Sequence, residues 1–384
     1  MTASAPWAPL TGAAHAIALE VLRRGPLPRS ELARRLGLSA GSLTRLAGPL
    51  IEQGLLLEAG TSREARTGRP TRPLDVAADA HHFLGAKVTD EDVHLVLTDL
   101  RAEVLGSSRA PLPGHTPQEV VRTVAREARG LTGGAPPVTA FGLSLGGCVA
   151  DHETVTSAPF LGWTDEVPLA ALLGAELGLP VVLDNDLLAL TRAEHWFGAG
   201  RGHDRFAVLT TGISIGYGLV MHDRIVDSPD AGLGLASHLP LDPYGPYCPA
   251  GHRGCATAML SAPSIRAAVS TGLRRPVGYQ ECLDLAAAGD PVAAGVVQAA
   301  ARALGRLMAA VATLTLTRRL VLTGEGIGLA GVAREALEAG IHGDRHPAAD
   351  PLSYEVRPID FAEWARGAAV TAIQTYVLGA GGRP

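Results

Sequence analysis

The chain has 384 residues, 47% apolar and 18% charged, a composition that fits two or three globular domains and excludes a largely disordered polypeptide. Four cysteines are too few for a disulfide framework, and no run approaches the roughly 18 apolar residues of a membrane span. The net charge of −5 is uneven: residues 1–80 hold ten Arg against seven acids, while the rest carries a net −8, and a basic head on an acidic body points toward nucleic acid.

Lys87 is the only lysine, so an arginine count alone says little about phosphate binding. The segment Met1–Pro9 lacks the charge and unbroken apolar run of a secretory leader, and a cytoplasmic protein with no membrane partner is expected. In the head, residues 14–24 read as a helix ended by Gly25-Pro26, with Ile17, Val21 and Leu22 on one side. A second helix follows Pro28 and closes at Gly37, with Arg29, Arg34 and Arg35 outward. Ser39 caps a third, in which Leu43, Leu46, Ala47, Leu50 and Ile51 share a face. Gly41, Ser42, Thr44 and Arg45 then lie on its outer face. Pro49 predicts a kink that separates a base-reading half from a packing half. Leu55–Glu58 starts a strand, and Thr61–Arg72, with Arg63, Arg66, Arg69 and Arg72, reads as a basic wing.

Two short helices, a tight turn and a basic wing form a winged helix-turn-helix. In it Gly41, Ser42, Thr44 and Arg45 face bases, and Arg29, Arg63, Arg66 and Arg69 hold the backbone or minor groove. The alternative is a three-helix protein-interaction domain with solvated arginines.

After Asp79 the pattern becomes α/β. Strands are expected at His82–Val88, Val93–Asp99, Ala102–Arg109, Val138–Leu145 and Pro180–Leu183, with helices near 117–132 and 167–177. Further strands read at Phe206–Thr210, Gly218–Met221 and Leu320–Thr323, with a long helix from Asp290-Pro291 to about Leu316. No repeat of 20–50 residues is evident.

Four ordered motifs stand out: Asp184-Asn-Asp186 with Ala193-Glu-His-Trp-Phe-Gly-Ala-Gly200; Thr211-Gly-Ile-Ser-Ile-Gly-Tyr-Gly218; His238 to Cys255; and Thr323-Gly-Glu-Gly326. Together they resemble the ROK family of repressors and sugar kinases, nearly end to end. The first resembles the catalytic-aspartate segment, the second a phosphate loop, the third a His/Cys zinc motif. The resemblance implies an α/β fold: an N-terminal winged helix-turn-helix at 1–78, then a two-lobed actin-like, ribonuclease H-like ROK domain with lobes at 79–203 and 204–384. The final helix is expected to return to the first lobe. A winged helix in front resembles the repressor branch.

Kinase chemistry is not expected. Family kinases carry an Asp-x-Gly-Gly-Thr-type turn, where this chain has Gly85-Ala-Lys-Val-Thr-Asp-Glu-Asp92. Lys87 replaces the acid, and Asp90-Glu91-Asp92 replaces the glycines, so carboxylates would repel a triphosphate. No ATP is expected, and no catalytic residue is assigned. The family zinc motif has a cysteine where Ala250 stands; His238, Cys248 and Cys255 remain, and His252 is the expected fourth ligand of a structural zinc. A metal-free loop with buried thiols is the alternative. For a sugar, the resemblance leaves Asn185, Asp186 and His238, while Phe160, Leu235 and Ala256 replace polar contacts. A modified or less polar sugar, another small metabolite, or no effector at all fits those losses. The alternative for Asp186 is a carboxylate that merely caps the following helix.

The expected function is a DNA-binding regulator, a repressor, acting as a homodimer or tetramer on a palindromic double-stranded operator. The rivals are an active sugar kinase with an appended DNA module and a ligand-independent DNA-binding regulator.

Overall fold

A computed structural model of the chain describes residues 10–60, 72–133, 137–228, 230 and 232–379. It divides into two compact units: one runs to Gly202 and takes in the chain from Trp364 onward, the other is His203–Glu363.

The first unit begins with α1 (Gly12–Arg24), α2 (Arg29–Leu36) and α3 (Ala40–Glu52). Each helix buries one apolar stripe: Ile17, Val21 and Leu22; Leu32 and Ala33; Leu43, Ala47 and Leu50. Gly37, at φ 64, ends α2, and Ser39 caps α3 by accepting from the Ser42 amide. α3 passes through Pro49 without a break, so the expected division into two halves is not marked by an interruption. Arg45 and Pro49 are both on the exposed face, where water can serve the carbonyl that proline leaves without its helical donor. β1 (Leu56–Glu58) pairs antiparallel with β2 (Leu74–Val76). Arg63, Arg66 and Arg69, and with them the expected wing, lie outside the described residues.

The chain continues as β3 (His82–Val88), β4 (Asp92–Thr98), β5 (Val104–Pro111), α4 (Pro117–Thr132) and β6 (Val138–Leu145). Then come the hairpin β7 (Cys148–Ala150) and β8 (Thr154–Ser157), α5 (Leu169–Leu177), β9 (Val181–Asn185) and α6 (Asp186–Phe197). The sheet order is β5-β4-β3-β6-β9, an antiparallel meander extended by two parallel strands. α4 opens with a reciprocal capping box between Thr116 and Glu119.

The second unit contains β10 (Arg205–Thr211), β11 (Ile215–Met221), β12 (Arg224–Ile225), α7 (Ala256–Leu260), α8 (Ala262–Leu273), α9 (Tyr279–Ala287) and α10 (Pro291–Thr315). It ends with β13 (Arg319–Thr323), α11 (Leu329–Val332), α12 (Arg334–Asp344) and β14 (Ser353–Arg357). Its sheet order, β12-β11-β10-β13-β14, follows the same scheme as the first. This doubled meander-plus-parallel order is the topology of the ribonuclease H-like, actin-like class. Gly305 lets α10 meet α12, since a Cβ there would lie 2.1 Å from the Leu337 carbonyl.

The last helix, α13 (Phe361–Leu378), packs on the first sheet. Its backbone comes so near that a Cβ on Gly85 would lie 2.1 Å from the Ala365 oxygen, and one on Gly142 1.9 Å from that of Ala368. One apolar core joins Ile17, Val21, Leu50 and Leu74 of the head to Phe83, Leu100, Trp196 and Ile373 beyond it.

Candidate DNA-reading head, effector site and metal centre

Helix α3 presents its N-terminal face outward. Gly41, Thr44 and Arg45 are exposed and Ser42 is half-buried. A side chain at Gly41 would meet nothing within 4 Å, so the backbone there is open to close approach. Ser42 is tied to Ser39, hydroxyl to hydroxyl at 2.9 Å, and Thr44 Oγ1 donates to the Ala40 carbonyl at 3.0 Å. Arg45 makes no hydrogen bond or ion pair with the described residues. By contrast Arg34 and Arg35 are held by Glu31, and Arg29 pairs with Glu58 at 2.9 Å. Of the described arginines on α2 and α3, Arg45 is therefore the one free to meet a base edge.

The Asn185-Asp186 pair at the end of β9 splits its labour. Asn185 is buried: its Oδ1 caps α6 by accepting from the amides of Leu187 (3.0 Å) and Leu188 (3.3 Å), and its Nδ2 donates to the Gly147 carbonyl at 2.9 Å. Asp186 is the first residue of α6, and its Oδ2 accepts a hydrogen bond from the Lys87 ammonium on β3. Lys87 is itself buried, its Nζ 5.3 Å from the centroid of the Trp364 ring. Beside this pair stands Phe160, half exposed: a Cβ on Gly146 would lie 3.2 Å from its ring and 3.6 Å from Asp186 Oδ2. Beneath it, buried Asp184 binds Arg192 of α6 at 2.8 Å and Thr371 of α13 at 3.1 Å.

In each unit the loop that matches a phosphate cradle is closed by the chain itself. In the β3–β4 turn the amides of Glu91 (3.3 Å) and Asp92 (2.9 Å) donate to Thr89 Oγ1. Asp92 also pairs with Arg109 at 2.6 Å. In the second unit the Ile213 amide donates to Glu325 Oε1 at 3.3 Å, and the Gly212 amide to the Ser214 carbonyl at 3.1 Å. The Glu325 carboxylate fills the space in front of that loop, where a Cβ on Gly212 would lie 2.0 Å from Oε1.

The second unit also gathers His238, Cys248, His252 and Cys255, with all four potential ligand atoms within 4.8 Å of one another. Cys248 Sγ lies 3.8 Å from His238 Nδ1 and 3.7 Å from His252 Nδ1, and Cys255 Sγ lies 3.7 Å from His238 Nδ1. A tetrahedral zinc, with Zn–S about 2.3 Å and Zn–N about 2.0 Å, sets neighbouring S and N about 3.5 Å apart, so this donor set fits the ion. The loop makes room for His252: Gly251 at φ 84 turns the chain, and the Cys248 amide donates to the His252 carbonyl at 2.9 Å. A Cβ on Gly254 would fall 1.6 Å from the Asp242 oxygen, which makes glycine obligatory there. Burial opposes ionisation of Cys248, but the amides of His252 and Ala250 outweigh it and hold the thiol below its usual value; burial pushes Cys255 up. His238 commits Nδ1 to this cluster, while Asn185 and Asp186 belong to the first unit. Leu235 is exposed, and Ala256 is buried at the start of α7.

Residues 84–343 match the model of the ROK family, and residues 8–66 match that of the MarR family. The chain belongs to the ROK family. Among its ROK relatives, the DNA-binding transcriptional repressor Mlc of Escherichia coli K12 is 24% identical over 320 residues, 78% of this chain and 77% of Mlc. The glucokinase of Thermotoga maritima is 35% identical over 187 residues, 48% of this chain and 57% of the kinase. A crystal structure of a ROK family transcriptional regulator, homologue of the Escherichia coli Mlc protein, superposes with a TM-score of 0.77 at 22% identity, covering 94% of this chain and 98% of that one. The ROK fold read from the sequence motifs is thus the fold of the chain. Three features escaped the sequence: the Lys87–Asp186 pair, the Thr89 hydroxyl inside the first turn, and Glu325 inside the second. The last left a trace, an acid between the two glycines of Thr323-Gly-Glu-Gly326.

Proposed function

We propose that the protein is a DNA-binding transcriptional repressor whose ROK body senses a small ligand and transfers no phosphate. The observation that carries this reading is the exposed N-terminal face of α3, with Arg45 free of partners among the described residues, ahead of a body whose two candidate phosphate loops are filled by Thr89 and Glu325. Phosphoryl transfer needs free backbone amides to cradle the phosphates and a base for the acceptor hydroxyl. Here Thr89 and Glu325 hold the candidate amides and Lys87 holds Asp186. That a relative is named as the repressor Mlc supports the same reading.

In this reading Gly41, Ser42, Thr44 and Arg45 face base edges, and Arg29, Arg63, Arg66 and Arg69 contact the phosphate backbone or minor groove. The active form is a homodimer or tetramer on a palindromic operator. The effector is a modified or less polar sugar held near Asp186 and Asn185, with Phe160 offering an apolar face. His238, Cys248, His252 and Cys255 hold a structural zinc, which ties their loop together.

Selection of bound fragments from random DNA tests the reading. The expected result is a palindrome; Arg45→Ala relaxes preference at one base position, at about 1–3 kcal/mol of discrimination, and Arg66→Ala weakens binding to all sequences and lowers the salt slope by about one. Absence of any recovered sequence overturns it. A second reading, an active sugar kinase with a DNA module, is favoured by Asp186 at the start of α6 and by the 35% identity to a glucokinase over 187 residues. Turnover of ATP with glucose or an N-acetylated sugar would establish it.

A further inference from the structure

The turn from β4 to β5 runs Asp99-Leu100-Arg101-Ala102. Asp99 Oδ1 accepts from the amides of Arg101 (2.8 Å) and Glu103 (2.9 Å), and Arg366 of α13 donates through Nε to the Ala102 carbonyl at 2.8 Å. Leu100 and Ala102 are buried in the apolar core that includes Val21, Leu27 and Leu74 of the head. The turn is therefore a fixed base, and Arg101 projects from it into the head.

Arg101 there meets three acceptors. Its Nη1 donates to the Gly25 carbonyl at 2.8 Å, and its Nη2 to the Val21 carbonyl at 3.0 Å and to the Asp75 carboxylate. These belong to the last turn of α1, the turn into α2, and β2. Carbonyls at a helix C-terminus carry partial negative charge, and the planar guanidinium fork serves several such acceptors at once where an ammonium would serve them less well. The fit is close: a Cβ on Gly25 would lie 2.9 Å from Arg101 Nη2.

We propose that Arg101 is a positioning residue for DNA reading. It fixes the angle at which the first unit presents α2, α3 and the β1–β2 pair, and through that angle the spacing of operator half-sites the assembled protein accepts. The inference rests on the DNA-binding reading above. Without Arg101 the shared apolar core still holds the head in place, but three directional contacts that set its tilt are gone.

The test uses the full chain and fragments that the wild type recovers from random DNA. Failure to recover any sinks the DNA-binding reading, and this proposal with it. With a two-half-site sequence in hand, duplexes whose spacer changes one base pair at a time are titrated against wild type, Arg101→Met and Asp75→Asn. The wild type is expected to bind best at one spacing. Arg101→Met should bind there about tenfold more weakly and flatten the profile, while its affinity for a single half-site stays within about twofold of wild type. Asp75→Asn, which keeps both carbonyl contacts, should fall between. A recovered site with only one half, a wild-type profile with no maximum, or an Arg101→Met profile of wild-type shape overturns the proposal. So does a loss equal at every spacing and at the single half-site. Should Arg101→Met fail to fold, an unchanged profile in Asp75→Asn overturns it equally.

Discussion

His252 shows how much one side chain can recover. With Ala250 in place of a cysteine, three ligands would leave a tetrahedral ion open to water; the imidazole two residues on brings Nδ1 to 3.7 Å from Cys248 Sγ and completes a closed set. Its replacement should therefore behave as ligand loss. His252→Ala is expected to lower zinc content from about one ion per chain to a small fraction, measured by elemental analysis of purified protein, while His252→Cys retains it. The residue types and spacing made this donor set legible. The partners of Arg101 and Glu325 were not legible, because each meets groups from 26 to 112 positions away in the chain.

Elements were readable where one face is buried and the other wet. The stripes of α1, α2 and α3 follow helical spacing, and β6, expected at Val138–Leu145, has those bounds. The helices α7, α8, α9, α11 and α12 and the strands β2, β7, β8, β12 and β14 were missed. α7 has five residues, too few for a period, and β14 is half exposed with a single paired neighbour. α13 owes its place to two glycines that read as unremarkable: at Gly85 and Gly142 the helix backbone takes the space of a side chain. A methyl group there must push helix from sheet. Gly142→Ala is expected to destabilise the protein by about 1–3 kcal/mol, seen as a lowered midpoint in urea with little change in slope.

At the scale of the molecule, the head is continuous with the first unit rather than strung on a linker. Residue 78 separates a basic segment from an acidic one in the sequence, yet one apolar core crosses it. His81 lies just beyond, buried, its ring centroid 5.1 Å from that of Tyr376 on α13. Burial, with a smaller push from His82, holds its pKa below the ordinary 6.5. The unfolded chain thus takes up a proton at a higher pH than the folded one. The stability owed to the neutral ring is full above 6.5 and falls as the pH drops from there toward the folded value. Thermal melts between about pH 7 and pH 5 should show stability declining with acid, and His81→Phe should reduce that decline.

The sequence by itself determined the periodic helices, the ROK motifs and the ligand types at the metal loop, because these depend on spacing within short stretches. Only the tertiary structure decided that Lys87 pairs with Asp186, that Thr89 and Glu325 fill the two candidate phosphate loops, and that Arg101 clasps the head. A hydrogen bond between distant residues requires the fold to bring donor and acceptor within about 3 Å, and no local pattern of residues encodes that distance.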